Sequence, residues 1–142
     1  MSYINKKGFT LVEILVVLVI VGILASFGYP AYKDYVLEAQ RQEAVQAIQE
    51  VQITIAEYLL INDSLVGRSS IDVGLDNNKL SSNLYSLSVT FNGDSEDNYS
   101  VVATPKADSP QANDICKSIT YSSKTGLFLC YDSSNTVLDG EI

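Results

Sequence analysis

The sequence has no histidine and no tryptophan, and only two cysteines and three prolines among 142 residues. The missing histidine removes the commonest general base and the commonest transition-metal ligand. Basic side chains are also scarce. Nine Lys and Arg face 17 Asp and Glu, for a net charge of -8. Nucleic-acid phosphates are held by neutralising lysines and arginines, so this balance makes a nucleic-acid partner unexpected. There is no nucleophile elbow, phosphate loop, CxxC or supported pair of catalytic acids, and therefore no expected enzyme activity or cofactor. Asp94, Glu96 and Asp97 share one turn, but without EF-hand spacing they read as a solvated hairpin turn and not a metal site. Asn62-Asp-Ser64 and Asn98-Tyr-Ser100 match N-x-S/T, a pattern too frequent to carry weight. The two cysteines, Cys116 and Cys130, lie close together and late, which suits one disulfide in an oxidising compartment.

What the chain does have is a long apolar run. "KKGFTLVEILVVLVIVGILA" occupies residues 6–25, and the run from Phe9 to Tyr29 is broken only by Thr10, Glu13 and Ser26. At about 1.5 Å per residue such a helix spans roughly 30 Å, the thickness of a bilayer core. Lys6 and Lys7 precede it, while Lys33 and Asp34 offset each other after it. The positive-inside rule leaves the N-terminus in the cytoplasm and sends the rest outward. Three readings of the run compete: a cleaved signal peptide, a plain membrane anchor, and a leader cut before the run. The first is disfavoured by Glu13 inside the apolar region and by the lack of an A-x-A site.

These residues resemble the class III leader of type IV pilins and pseudopilins: a short basic leader, then Gly8, Phe9, Thr10, Leu11, an apolar residue and Glu13. The resemblance covers about the first forty-five residues, continuing through "YPAYKDYVLEAQRQEA" at 29–44. It implies that a prepilin peptidase cuts between Gly8 and Phe9 and methylates the new Phe9 terminus. It implies also that Glu13 pairs with the Phe9 ammonium of a neighbouring subunit. An acid inside a lipid-embedded helix should have a partner; the plainer alternative is a Glu13 that sits near the headgroups and pairs with nothing.

After Pro30 the pattern turns amphipathic. Leu37, Ala44, Ile48, Val51, Ile55 and Tyr58 recur at helical spacing, with Gln and Glu on the other faces, so one stripe is buried. Gly22, Gly28 and Pro30 weaken the helix between the two halves. The resemblance implies that the section from Gly22 to Pro30 extends in a filament. Tyr29, Tyr32 and Tyr35 read as an interfacial aromatic belt or as packing between neighbouring helices.

Residues 61–82 lack a sustained period and read as a connection with room for a short helix. Strand patterns follow at 84–91, 99–105, 118–121 and 127–131. The fold class is therefore α+β. A long N-terminal helix, 9–60, is apolar over 9–29 and packs its second half on an antiparallel sheet of about four strands within a domain at 61–142. A domain this small needs staples. A Cys116–Cys130 bond closes a loop worth about 3 kcal/mol in the chain-entropy picture, and it matches in place the family's variable, disulfide-bounded region.

The resemblance implies a structural subunit of a type IV pilus serving motility, adhesion or DNA uptake. Residues 1–8 would be the removed leader and 9–29 the membrane span, then the filament core. Its partners would be other pilin subunits, the prepilin peptidase, the inner-membrane assembly machinery and the membrane itself. It would sit in the inner membrane, C-terminus periplasmic, before entering an extracellular fibre. The tail, with "VVATPKADSP" at 101–110 and its short disulfide loop, resembles minor pilins of the PilE type. Two alternatives are a type II secretion pseudopilin, whose major class usually lacks such a disulfide, and a competence pilin that captures DNA. The latter needs clustered cations, and past the helix only Arg68, Lys79, Lys106, Lys117 and Lys124 are available.

Overall fold

The computed structural model describes residues 8–91 and 98–138. The turn holding Asp94, Glu96 and Asp97, and leader residues 1–7, lie outside the described residues. The chain divides into two compact units, Met1–Val36 and Leu37–Ile142.

One helix, α1, runs Leu11–Asn62. Its apolar part lacks any polar punctuation strong enough to stop it, and the helix continues through Gly22, Gly28 and Pro30. Pro30 has no N–H to offer the carbonyl of Ser26, but only one rung is lost between intact stretches of ladder. The helix ends two residues beyond the expected 60. Asn62 Nδ2 donates to the Tyr58 carbonyl at 3.1 Å, and Asp63 takes the left-handed conformation at φ 51 that commonly ends a helix.

In the second unit the sheet is a five-stranded antiparallel meander in chain order: β1 Tyr85–Phe91, β2 Tyr99–Pro105, β3 Ser118–Ser122, β4 Phe128–Tyr131 and β5 Val137–Leu138. The expected count of about four misses β5, a two-residue strand that pairs with Cys130 and Tyr131. Two residues are too few to show alternation. β5 is placed instead by a turn in which the Asp132 carboxylate accepts from the Ser134 and Thr136 amides at 2.8 and 2.9 Å.

Alternation along the strands turns Tyr85, Leu87, Val101, Ala103, Ile119 and Cys130 inward. Against them α1 lays Ala44, Ile48, Val51 and Ile55, all buried. The flanking stripe residues Leu37 and Tyr58 are half-buried. The connection at 63–84 contains turns and no helix, so the short helix allowed for there is absent. It still feeds the core through Leu65, Val73 and Leu75. Gly74, at φ 82, makes the turn that aims Leu75 inward. Cys116 and Cys130 are bonded, with Cα atoms 5.5 Å apart, and the bond ties the approach to β3 onto β4.

Polar ties reinforce the packing. A single 3-10 turn, Pro110–Asn113, places Gln111 and Asp114 against α1. The Arg41 guanidinium donates through Nε and Nη2 to the two Asp114 oxygens at 2.7 and 2.8 Å. Gln111, fully buried, donates to the Leu37 carbonyl and the Gln40 side chain and accepts from the Tyr85 hydroxyl at 2.8 Å. Glu43 accepts from the Leu84 amide at 3.0 Å. Burial alone would raise the Asp114 pKa, yet the Arg41 hydrogen bonds and charge, with two backbone amides, hold it below its ordinary value.

Asp114→Asn should therefore destabilise the domain by roughly 1.5–3 kcal/mol, the range for hydrogen bonds to charged groups. The wild-type contribution is present above the unfolded carboxyl value of about 3.9 and is lost as pH falls below it. Melting of the full chain in micelles should thus fall more steeply between about pH 5 and pH 2 for wild type than for Asp114→Asn. Equal slopes would remove the pair from the account.

Candidate assembly site

The N-terminal site is built by the start of α1. Gly8, Phe9 and Thr10 precede the helix, all three exposed, and Phe9 is 84% exposed. The peptide between Gly8 and Phe9 thus lies in a non-helical, open stretch, and among the described residues no atom other than its chain neighbours lies within 4 Å of where a Gly8 side chain would begin. Thr10 caps the helix. Its hydroxyl accepts from the Glu13 amide at 3.3 Å, while Glu13 Oε2 accepts from the Thr10 amide at 2.7 Å and the Thr10 hydroxyl at 2.8 Å. This is a reciprocal capping box, satisfying donors that a helix start would otherwise leave unpaired. Among the described residues the second oxygen, Oε1, accepts nothing.

Thr10 is a site residue that the reading by motif position passed over. The T-x-x-E spacing ahead of an apolar run was visible at 10–13 and is by itself a helix-start signature.

Beyond the cap, every residue from Leu11 to Tyr35 is exposed. Leu11, Ile14, Leu18, Val21 and Leu24 are each about half exposed or more. The helix is long and apolar enough to cross a membrane, and none of its most apolar window is covered. A side-chain carbon added at Gly22 or Gly28 would meet nothing within 4 Å beyond the helix's own neighbouring backbone. Ser26 Oγ donates to the Ile23 carbonyl at 2.7 Å. Tyr29, Tyr32 and Tyr35 are all exposed, and Lys33 Nζ sits 5.7 Å from the Tyr29 ring centroid, within cation–π range.

The five cations beyond the helix are spread over the domain: Arg68, exposed, lies in the 63–84 connection beside Asp72. Lys106 Nζ donates to the Ser82 carbonyl, and Lys79 adjoins the same segment in a groove shared with Ser82. Lys117, just before β3, lies at the sheet end where Lys106 leaves β2, and its Nζ donates to the Ala112 carbonyl at 2.8 Å. Lys124 is in the β3–β4 turn at the opposite end. Two carboxylates, Glu43 and Glu50, line the groove that holds Lys79.

A bare apolar helix behind a Gly-Phe-Thr-Leu-x-Glu start, joined in sequence to a stapled α+β domain, defines the pilin class of proteins. The N-terminal residues 4–29 match the model of the prokaryotic N-terminal methylation motif. Residues 30–120 match the family described as "Type IV minor pilin ComP, DNA uptake sequence receptor", and the chain belongs to that type IV pilin family. Curated relatives agree. A type IV major fimbrial protein FimA of Dichelobacter nodosus is 48% identical over 54 residues, covering 38% of this chain and 34% of the relative. A fimbrial protein of that organism is 46% identical over 54 residues, with the same coverage of each chain. Another FimA is 45% identical over 58 residues, 41% of this chain and 36% of its own. The matched segments thus span about a third of these relatives' length.

Thr10→Val removes the capping hydroxyl but keeps the shape. Amides 11–14 should then exchange several-fold faster in micelles, and Thr10→Ser should restore their protection. Unchanged exchange in Thr10→Val would show that the cap does not hold the first turn.

Proposed function

We propose that this chain is a structural subunit of a type IV pilus, stored in the inner membrane and assembled into a helical fibre. The observation that carries the reading is the wholly uncovered apolar helix of residues 11–35 behind a methylation motif. Such a surface needs lipid before assembly and other copies of the helix after it. Residues 1–8 are the leader, with cleavage after Gly8 and methylation of the Phe9 nitrogen, by a prepilin peptidase that meets an open, non-helical peptide. Residues 9–29 form first the membrane span and then the fibre core, with the domain beyond the helix on the fibre surface, and subunits pass through the inner-membrane pilus machinery.

The charge match follows from the same residues. Cleavage turns the Phe9 amide nitrogen into an ammonium, and methylation leaves it charged. Glu13 Oε1 is unengaged among the described residues, so a neighbour's ammonium finds an acceptor without breaking the Thr10 cap. Head-to-tail contacts of this kind do not close and therefore build open filaments. The section from Gly22 to Pro30 supplies extensibility, because it already lacks one helical hydrogen bond and two side chains. The fimbrial names of the relatives support a pilus over a secretion pseudopilus.

The test is direct. Mass spectrometry of the mature chain should find N-methyl-Phe9 as the terminus. Glu13→Val should still be processed but should enter fibres far less often than wild type. A terminus elsewhere, or undiminished incorporation of Glu13→Val, would refute the assembly mechanism.

A second reading, DNA capture, is favoured by the family's description as a DNA uptake sequence receptor. Lys79, Lys106 and Lys117 at one end of the sheet are the cations for it. With an acidic chain around them, binding should be weak and steeply salt-dependent. If these lysines touch phosphates, each Lys→Ala change lowers the slope of log K against log salt by about one. An unchanged slope would exclude them.

A further inference from the structure

We propose that the face of the sheet turned away from α1 is a binding platform for neutral polysaccharide. This inference is independent of fibre assembly. Strand alternation and the observed register fix which side chains share that face. Every outward position of β1 and of β3 is a serine or threonine, and β2 adds Ser100 and Thr104 around Val102. The register sets Ser86 beside Thr104, Thr90 beside Ser100, and Val102 beside Thr120. Hydroxyls thus repeat at about 4.8 Å across strands and about 7 Å along them.

None of the outward positions on the five strands carries a charge, in a chain of net charge -8. A neutral face suits an uncharged occupant and gives an anionic one nothing to neutralise. Each hydroxyl is both donor and acceptor, the complement of a polyol. Among the described residues no side chain or carbonyl engages the hydroxyls of Ser88, Thr90, Ser100 or Thr120, and Ser88 and Thr90 are exposed. On β4 and β5 the same face becomes apolar, with Tyr131 between Ser118 and Val137. An aromatic ring with a polar tip beside a hydroxyl field offers a stacking surface for the C–H face of a sugar.

The experiment uses the full chain in zwitterionic micelles, mixed with cellulose or chitin particles, and measures depletion from solution. Wild type should be retained, with retention unchanged by added salt. Thr90→Val with Thr120→Val, and separately Ser88→Glu, should each weaken retention about tenfold at unchanged melting temperature. If either variant melts early, Ser88→Ala with Ser100→Ala replaces it with the same expectation. No retention, equal retention by folded variants, or retention abolished by salt would overturn the proposal. So would competition by double-stranded DNA, which would make the occupant a nucleic acid. Loss of retention only where self-association is also lost would make the occupant a second copy.

Discussion

A helix surface that water does not tolerate dictates most of this molecule. From Leu11 to Tyr35 the side chains are overwhelmingly aliphatic or aromatic, and every one of them is exposed. A soluble protein rarely leaves so large an apolar area bare. The surface must therefore be given to lipid or to like helices. That requirement explains why the apolar run has almost no polar interruption, and why the interruption at Glu13 carries weight. In hydrocarbon the helix is also the only simple way to satisfy the backbone, so the weak points at Gly22, Gly28 and Pro30 remain within one continuous helix.

The second half of the helix meets the opposite requirement. Its one apolar stripe is too narrow to hold a sheet by burial alone in so small a domain. Polar ties add direction to that burial. Gln111 alone joins the 3-10 turn, two points on α1 and the hydroxyl of Tyr85. Asp114 adds a two-point fork to Arg41, and a fork of this kind fixes orientation as well as distance. No buried side-chain nitrogen or oxygen lacks a partner among the described residues. A fully satisfied network of this kind is stiff, and a stiff domain can present a defined sheet face.

Much of this was legible in the residues. The helical stripe at Ala44, Ile48, Val51 and Ile55 repeats at four and three and came out buried. Alternation was plain at 84–91, the strand patterns at 99–105, 118–121 and 127–131 came out as β2 to β4, and the cysteine pair bonded as its late, close placement suggested. The rest was hidden for identifiable reasons. β5 is shorter than one period of the signal that would reveal it. Arg41 and Asp114 lie 73 positions apart, and one sequence gives no means of pairing residues across such a gap. Leu65, Val73 and Leu75 have no common period because separate turns, not one element, aim them inward. The Thr10 cap was different: its pattern was in view, and the family motif includes Thr10 by position but gives it no role.

That pairing of Thr10 with Glu13 changes what the acid has to be. A glutamine at this position would still accept from the Thr10 amide and complete the cap, because capping needs only an oxygen at the right distance. It would bring no charge to the neighbouring ammonium proposed for it. An aspartate would keep the charge but shorten the reach that closes the box three residues back. Glutamate is the side chain that meets both demands, with Oε2 turned to its own helix start and Oε1 left open. In the proposed charge match, the cap has already oriented the carboxylate through Oε2 before a neighbour's ammonium would reach Oε1.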